Sequence, residues 1–231
     1  MRSTFTGIEI AKRSLFAHQA ALTTTGHNVA NANTPGFSRQ SVQLVAARPL
    51  ENIGMMRTTI PGQQGQSVEI QAIRRIRDAF IDKQYYNESQ SLGYWQTRLD
   101  TLEKLEGIIN EPSETGLRQV LDNFWNSWQE LSMAPDNLEA RAIVKESALA
   151  LTDAFNHIAR QLTNLKHDLS DHIDVKVTEV NTLLRQVAAM NAEIYRIEGF
   201  GHNANDLRDQ RDLLMDQLSR IINVTVVHEE R

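Results

Sequence analysis

The residues best suited to hold a metal or move a proton near neutral pH are the seven histidines: His18, His27, His157, His167, His172, His202 and His228. A transition-metal site would gather two of them in an HExxH or similarly close pair on one helix face. None is so placed. The Arg208-Asp209 and Arg211-Asp212 doublets have the opposed charges that acid–base work requires. Repeated at three- and four-residue spacing on a helix, however, such charges read as a solvated salt-bridge lattice. No GxGxxG, phosphate-binding loop or GxSxG occurs. Cysteine is absent, which excludes thiolate metal sites and a disulfide framework. The chain reads as a structural part: not an enzyme, with no catalytic residue, no metal and no cofactor.

The elements that would position any site are chiefly helices. The 231 residues are 41% hydrophobic but only 6% aromatic. They are rich in Leu, Ala, Asn, Gln and Thr, a profile that favours long helices over compact sheets. No apolar run approaches the roughly 20 residues of a membrane span, so no membrane insertion is expected. Charges within the first sixteen residues break the apolar stretch that a secretory signal needs. Charge is uneven: residues 1–77 hold nine Lys/Arg against three Asp/Glu, and the remainder fifteen against twenty-six. The basic residues are scattered without interleaved aromatics, so no nucleic-acid surface is expected. Acidic and basic segments meeting within one assembly account for the asymmetry.

Four segments follow. Ile8, Ala11, Leu15, His18, Leu22, Thr25 and Val29 step by three and four, predicting a helix over about residues 6–30. His18 and Thr25 interrupt its seam and much of the rest is small, so this helix reads as one awaiting a partner. An ordinary amphipathic helix packed on its own domain is the alternative. Residues 31–75 are not helical. Asn31 and Asn33 bond back to local backbone, and Thr34-Pro35-Gly36-Phe37 suits a type II turn. "FSRQSVQLVA" and "QSVEIQAIRRI" alternate as half-buried strands, separated by a loop-like stretch with two prolines and three glycines.

The third segment is helical from Asp78 to Asn110, with Tyr85, Glu88, Leu92, Trp95, Leu99, Leu102, Glu106 and Ile109 in a three–four pattern. Pro112 breaks it and Ser113 is a plausible N-cap for a shorter helix that stops near Pro135. Leu121, Phe124, Trp125, Trp128 and Leu131 of that shorter helix read as core. The fourth segment is one very long helix, about Asn137 to Ile197. Its apolar positions, among them Leu151, Phe155, Ile158, Leu162 and Leu165, recur about every 3.5 residues, as in a coiled coil. Some sixty residues at 1.5 Å each reach roughly 90 Å. Gly199 and Gly201 end it, and a last helix, "DLRDQRDLLMDQLSRII", leads into a strand-like "NVTVV".

One tract explains these parts together. "NVANANTPGFSRQ", directly behind the N-terminal helix, resembles the signature of bacterial flagellar rod, hook and hook-associated axial proteins. Asn28, Ala30, Asn31, Asn33, Thr34, Gly36 and Phe37 match the axial signature. Pro35, Ser38, Arg39 and Gln40 match the extension of hook-associated proteins at the hook–filament junction. "LDNFWNSWQELSMAPDNLEAR" and "NANDLRDQRDLLMDQLSRIINVTV" resemble the same family and have no counterpart in rod or hook subunits.

The resemblance implies a mainly α, elongated, multi-layer axial subunit. Residues 1–36 would be an inner-tube helix, its seam Ile8, Ala11, Leu15, Leu22 and Val29, with the signature loop turning the chain outward. Residues 37–76 would be a β/loop connection, 77–200 a long-helix rod domain, and 201–231 a helix and first strand leading into a truncated outer domain. It further implies a homo-oligomeric ring, contacts with hook subunits and with the second junction protein, and passage through the flagellar type III export apparatus to the cell exterior. Family chains continue to a C-terminal helical segment, so a chain stopping at Arg231 reads as an N-terminal fragment or a shortened reading frame. A hook or rod subunit is the nearest alternative, disfavoured by the two later motifs. A cytoplasmic coiled-coil scaffold would account for the long helix but not for "NANTPGF".

Overall fold

A computed structural model describes residues 5–49, 65–109 and 116–227. The element order is α1 (Thr6–Ala30), β1 (Gln40–Ala46), β2 (Val68–Arg75), α2 (Ala79–Ile109), α3 (Leu117–Met133), α4 (Leu138–Glu198) and α5 (Asn205–Ser219). The fold is mainly α, with a small two-stranded sheet and a single 61-residue helix, as the periodicities predict. Pro112 and Ser113, and most of the stretch joining the strands, lie outside the described residues.

The chain forms two compact units. One contains the described residues up to Asn87, with Leu183–Ser219 and those from Val224. The other contains the described residues of Glu88–Thr182, with Arg220–Asn223.

In the first unit α1 packs across both strands. Strands β1 and β2 run antiparallel, Gln40 opposite Arg75 and Ala46 opposite Val68, with one register shift between Gln43 and Leu44 that leaves Gln71 as the extra residue. Such a bulge bends the strand and increases its twist. The face of α1 toward the sheet is made mostly of small residues: Ala17 and Thr24 are buried, and Ser14, Ala20 and Ala21 half-buried together with Ile10. Thr23, Thr24 and Thr25 each turn their hydroxyl back to the carbonyl four residues earlier, at 2.9, 3.0 and 2.9 Å, so these polar groups are satisfied within the helix. The heptad seam lies on a different meridian. Ile8, Leu15, Leu22 and Val29 are 65, 66, 73 and 72% exposed, and Ala11 is exposed with them.

In the second unit α3 meets α4 through a serine pair: the Ser127 and Ser147 hydroxyls are 2.7 Å apart, and Ser127 is buried. Small side chains at that point let the two backbones approach. The aromatic face assigned to the core is corrected here. Leu121, Phe124 and Leu131 are half-buried, but Trp125 and Trp128 are 65 and 48% exposed. The buried meridian of α3 runs through Val120, Phe124, Ser127 and Leu131. At about 100° per residue, Trp128 and Trp125 are turned progressively off it, although the Trp128 ring still meets Phe124 edge-on at 6.3 Å. On α4, Leu151, Ile158 and Leu165 are half-buried, whereas Phe155 and Leu162 are exposed. Phe155 and Leu162 keep 49 and 40% of their surface exposed.

Residues 223–227 are a second correction. They follow α5 without forming a strand. Among the described residues no strand lies beside them to offer its ladder, and β-propensity alone does not make a strand.

Candidate functional site

Helix α1 ends because Asn31 stops it. The Asn31 backbone N–H and its side-chain Nδ2 both donate to the His27 carbonyl, at 3.1 and 3.0 Å. The chain then turns twice: Thr34 N–H donates to the Asn31 carbonyl at 2.9 Å and Phe37 N–H to the Thr34 carbonyl at 3.2 Å. Gly36 has φ +79°, the left-handed value that the third position of a type II turn demands. Asn28, still on the last turn of α1, bonds to both backbone groups of Gln40: its Nδ2 donates to the Gln40 carbonyl at 2.8 Å and its Oδ1 accepts from the Gln40 N–H at 2.9 Å. The signature tract is thus a closed loop, with the helix end bonded to the strand start.

This loop sits on α5, in the same compact unit. A Cβ built on Gly36 would lie 3.0 Å from Leu213 Cβ, a tight contact that adds to the demand of φ for glycine. Ser38 N–H donates to Asp209 Oδ2 at 2.9 Å. Gln40 Nε2 donates to Asp206 at 2.6 Å, and Asn205 Nδ2 reaches both Gln40 Oε1 at 3.3 Å and the Ile73 carbonyl at 2.8 Å. The Phe37 ring meets His27 edge-on at 5.3 Å, and His27 Nε2 lies 3.4 Å from Asp206.

Under the loop lies an ionic layer. Arg75 Nη1, from the last residue of β2, donates to Asp209 at 2.6 Å and to Asp212 at 2.8 Å. Asp209 and Asp212 are only 5 and 6% exposed. Arg211 bonds Asp212 at 2.7 Å, and Arg77 bonds Asp82 at 2.8 Å. Burial pushes the Asp212 carboxyl up, but hydrogen bonds and charge from Arg211 and Arg75 outweigh it, and the group ends below its ordinary value. Arg77 loses by burial and gains more from Asp82, Asp212 and Asp216, so its pKa is raised. At the other end of α5, Arg208 grips Glu198 through two bonds of 2.6 and 2.7 Å, closing the turn that follows α4. That bond, more than burial opposes it, raises the Arg208 pKa.

The structure brings most of the signature residues into one site. Asn28, Asn31, Thr34, Gly36, Phe37, Ser38 and Gln40 make the contacts described, and Arg39 accepts from Ile76 N–H at 2.8 Å through its carbonyl. Ala30, Asn33 and Pro35 are exposed around it. Seam residues Ile8, Ala11, Leu15, Leu22 and Val29 are not covered by it. The Arg–Asp doublets of α5 are no solvated lattice: Asp209 and Asp212 point inward to Arg75, not outward to water. Spacing within the helix could not show this, because their partners lie 134 and 137 residues away. The one local sign was a polar stripe at 205, 209, 212 and 216, which is the period of a helix face. Among the described residues no group of three His, Cys, Asp or Glu is placed to hold a metal, and no helix is long and apolar enough to cross a membrane. What the arrangement does is fix the exit direction of α1.

Comparison with known families and proteins agrees with this geometry. Residues 102–231 match the flagellar hook-associated protein FlgK helical domain, and residues 8–37 match the flagella basal body rod protein family. The chain is 41% identical over 230 residues to flagellar hook-associated protein 1 of Bacillus subtilis, covering all of this chain and 45% of that protein. It is 30% identical to the proteins of the same name from Salmonella typhimurium and Escherichia coli K12, over 95% of this chain and 38 and 39% of theirs. The chain thus spans less than half the length of these relatives.

Proposed function

The chain belongs to the family of the flagellar hook-associated protein FlgK, a family of structural flagellar proteins, and from that premise we propose that it is the N-terminal part of a subunit that connects hook to filament. The observation that carries this reading is the exposed heptad seam of α1, Ile8, Leu15, Leu22 and Val29, on a helix whose exit loop is anchored to α5. A helix held at its C-terminal end with its apolar stripe in solvent is built to pack against something else.

In this reading residues 1–36 form the inner tube and signature loop, 37–76 the connection, and 77–200 the helical domain, with 201–231 leading into outer domains. Ile8, Ala11, Leu15, Leu22 and Val29 pack against further copies in a ring. The exposed side chains Trp125, Trp128, Phe155 and Leu162 are covered by helix from the rest of the protein. The subunit leaves the cell through the flagellar type III export apparatus and sits outside it at the hook–filament junction, with hook subunits below and the second junction protein above. Its work is mechanical, without catalysis or cofactor. The match of residues 8–37 to the rod family favours a second reading, a hook or rod subunit. The FlgK-type helical domain over 102–231 weighs against it.

Electron microscopy of cells lacking the gene, with flagellin measured in the medium, tests the proposal. Complete hooks without filaments, and flagellin released, are expected. Loss of hooks would move the subunit down to the rod or hook, and normal flagella would overturn the reading.

A further inference from the structure

The layer beneath α5 holds more carboxylate than it can neutralise. Four aspartates, Asp82, Asp209, Asp212 and Asp216, meet three guanidiniums, Arg75, Arg77 and Arg211. Arg75 is divided between Asp209 and Asp212, and Arg211 is committed to Asp212. Arg77 commits its Nε to Asp82, which leaves Nη1 3.6 Å from Asp212 and Nη2 3.9 Å from Asp216. Asp216 is the residue left over: its Oδ1 is buried and accepts no hydrogen bond. A carboxylate with one oxygen buried and without a hydrogen bond, its nearest guanidinium nitrogen 3.9 Å away, is poorly compensated, and the simplest relief is a proton.

We propose that Asp216 is a one-proton switch that sets how firmly α5 is held against the β2–α2 elbow, tight when protonated and looser when ionised. The groups facing it are Arg77 from the β2–α2 connection, Asp82 and the buried Tyr86 from α2, and Asp212 one turn earlier on α5. Burial pushes Asp216 up to about 6; Arg77 opposes this, and Asp212 and Asp82 add to it. The same surroundings, burial first, raise Tyr86 to about 12, so that ring stays neutral while Asp216 changes charge near pH 6. An acid whose folded pKa exceeds its unfolded value of 3.8 binds its proton more tightly when folded. Its contribution therefore favours the fold below that value and is lost as pH rises through about 6. Because α5 also carries Asp209 and Leu213, on which Ser38 and Gly36 rest, the switch bears on the seat of the signature loop.

The test is denaturant unfolding of the whole chain between pH 4 and 7.5, with an Asp216→Asn variant alongside. The parent folding constant should fall by up to about a hundredfold across that window, and Asp216→Asn should remove that fall while being at least as stable at pH 7. A variant that keeps the slope, or that is weaker than the parent at pH 7, overturns the proposal. Should the variant fail to fold, carboxyl titration of the parent by NMR decides: a midpoint near 6 for Asp216 supports the switch, and one in the ordinary carboxylate range overturns it.

Discussion

Asn28 and Gln40 exchange two hydrogen bonds, with the amide of one gripping both backbone groups of the other at 2.8 and 2.9 Å. This clasp makes the tract between them a loop of defined shape. An asparagine has the donor and the acceptor on one planar group, so it can serve a backbone N–H and C=O together. Aspartate offers no donor and alanine neither.

Asn28→Ala should therefore destabilise the first unit by about 2 kcal/mol, from two lost bonds to partly buried backbone groups. Asn28→Asp retains only the acceptor and should fall between the two. Denaturant unfolding of the three chains gives the order.

Gly36→Ala faces two penalties: a residue at φ +79° and a Cβ 3.0 Å from Leu213. The backbone term costs about 1 kcal/mol. Overpacking adds about 1–3 kcal/mol unless Leu213 yields. In a double-mutant cycle Leu213→Ala, which removes the two Cδ contacts at 3.3 Å but keeps the Cβ at 3.0 Å, should recover part of the packing cost and none of the backbone cost. Full additivity would show that the contacts with the Leu213 δ-methyls carry no energy.

Gly93 on α2 lies under the chain that follows α5, where an added Cβ would collide with the Arg220 carbonyl. A backbone atom cannot rotate aside as a side chain can. Gly93→Ala should therefore lower stability by about 2–3 kcal/mol, although alanine is the better helix former. A variant as stable as the parent would refute that close approach.

Acid should loosen the loop seat through Asp212. Burial raises its pKa, the hydrogen bonds and charges of Arg211 and Arg75 lower it by more, and the net shift is downward from 3.8. The carboxylate thus stabilises the fold above 3.8, and that stabilisation is lost as pH falls through its lower folded value. Asp212→Asn should cost about 1–3 kcal/mol at pH 7, since it removes the anion to which Arg211 is committed and which Arg75 shares with Asp209. It should also flatten the acid limb of the stability curve below pH 4. Unfolding midpoints from pH 2 to 7 measure both effects.

What could be read from the sequence is what near neighbours dictate. The limits of α1, the span of α4, the Pro35-Gly36 turn and the two strands follow from period, helix stops and turn chemistry, all within a few residues of one another. The "NANTPGFSRQ" tract and the two later motifs carried the family in the same way. Burial is a different matter, because it depends on what arrives from elsewhere in the chain. Trp125 and Trp128 have the composition of a core, yet α4 meets α3 at Ser127, and the tryptophans are turned off that meridian. "NVTVV" has strand propensity, but a strand forms only beside another. Asp209 and Asp212 look like surface charges on a helix until Arg75, more than 130 residues earlier in the chain, is brought to them. Local sequence determined each element and the loop that ends the first one. Only the tertiary structure decided which face of each was covered, because desolvation and charge pairing are properties of contacts between distant residues.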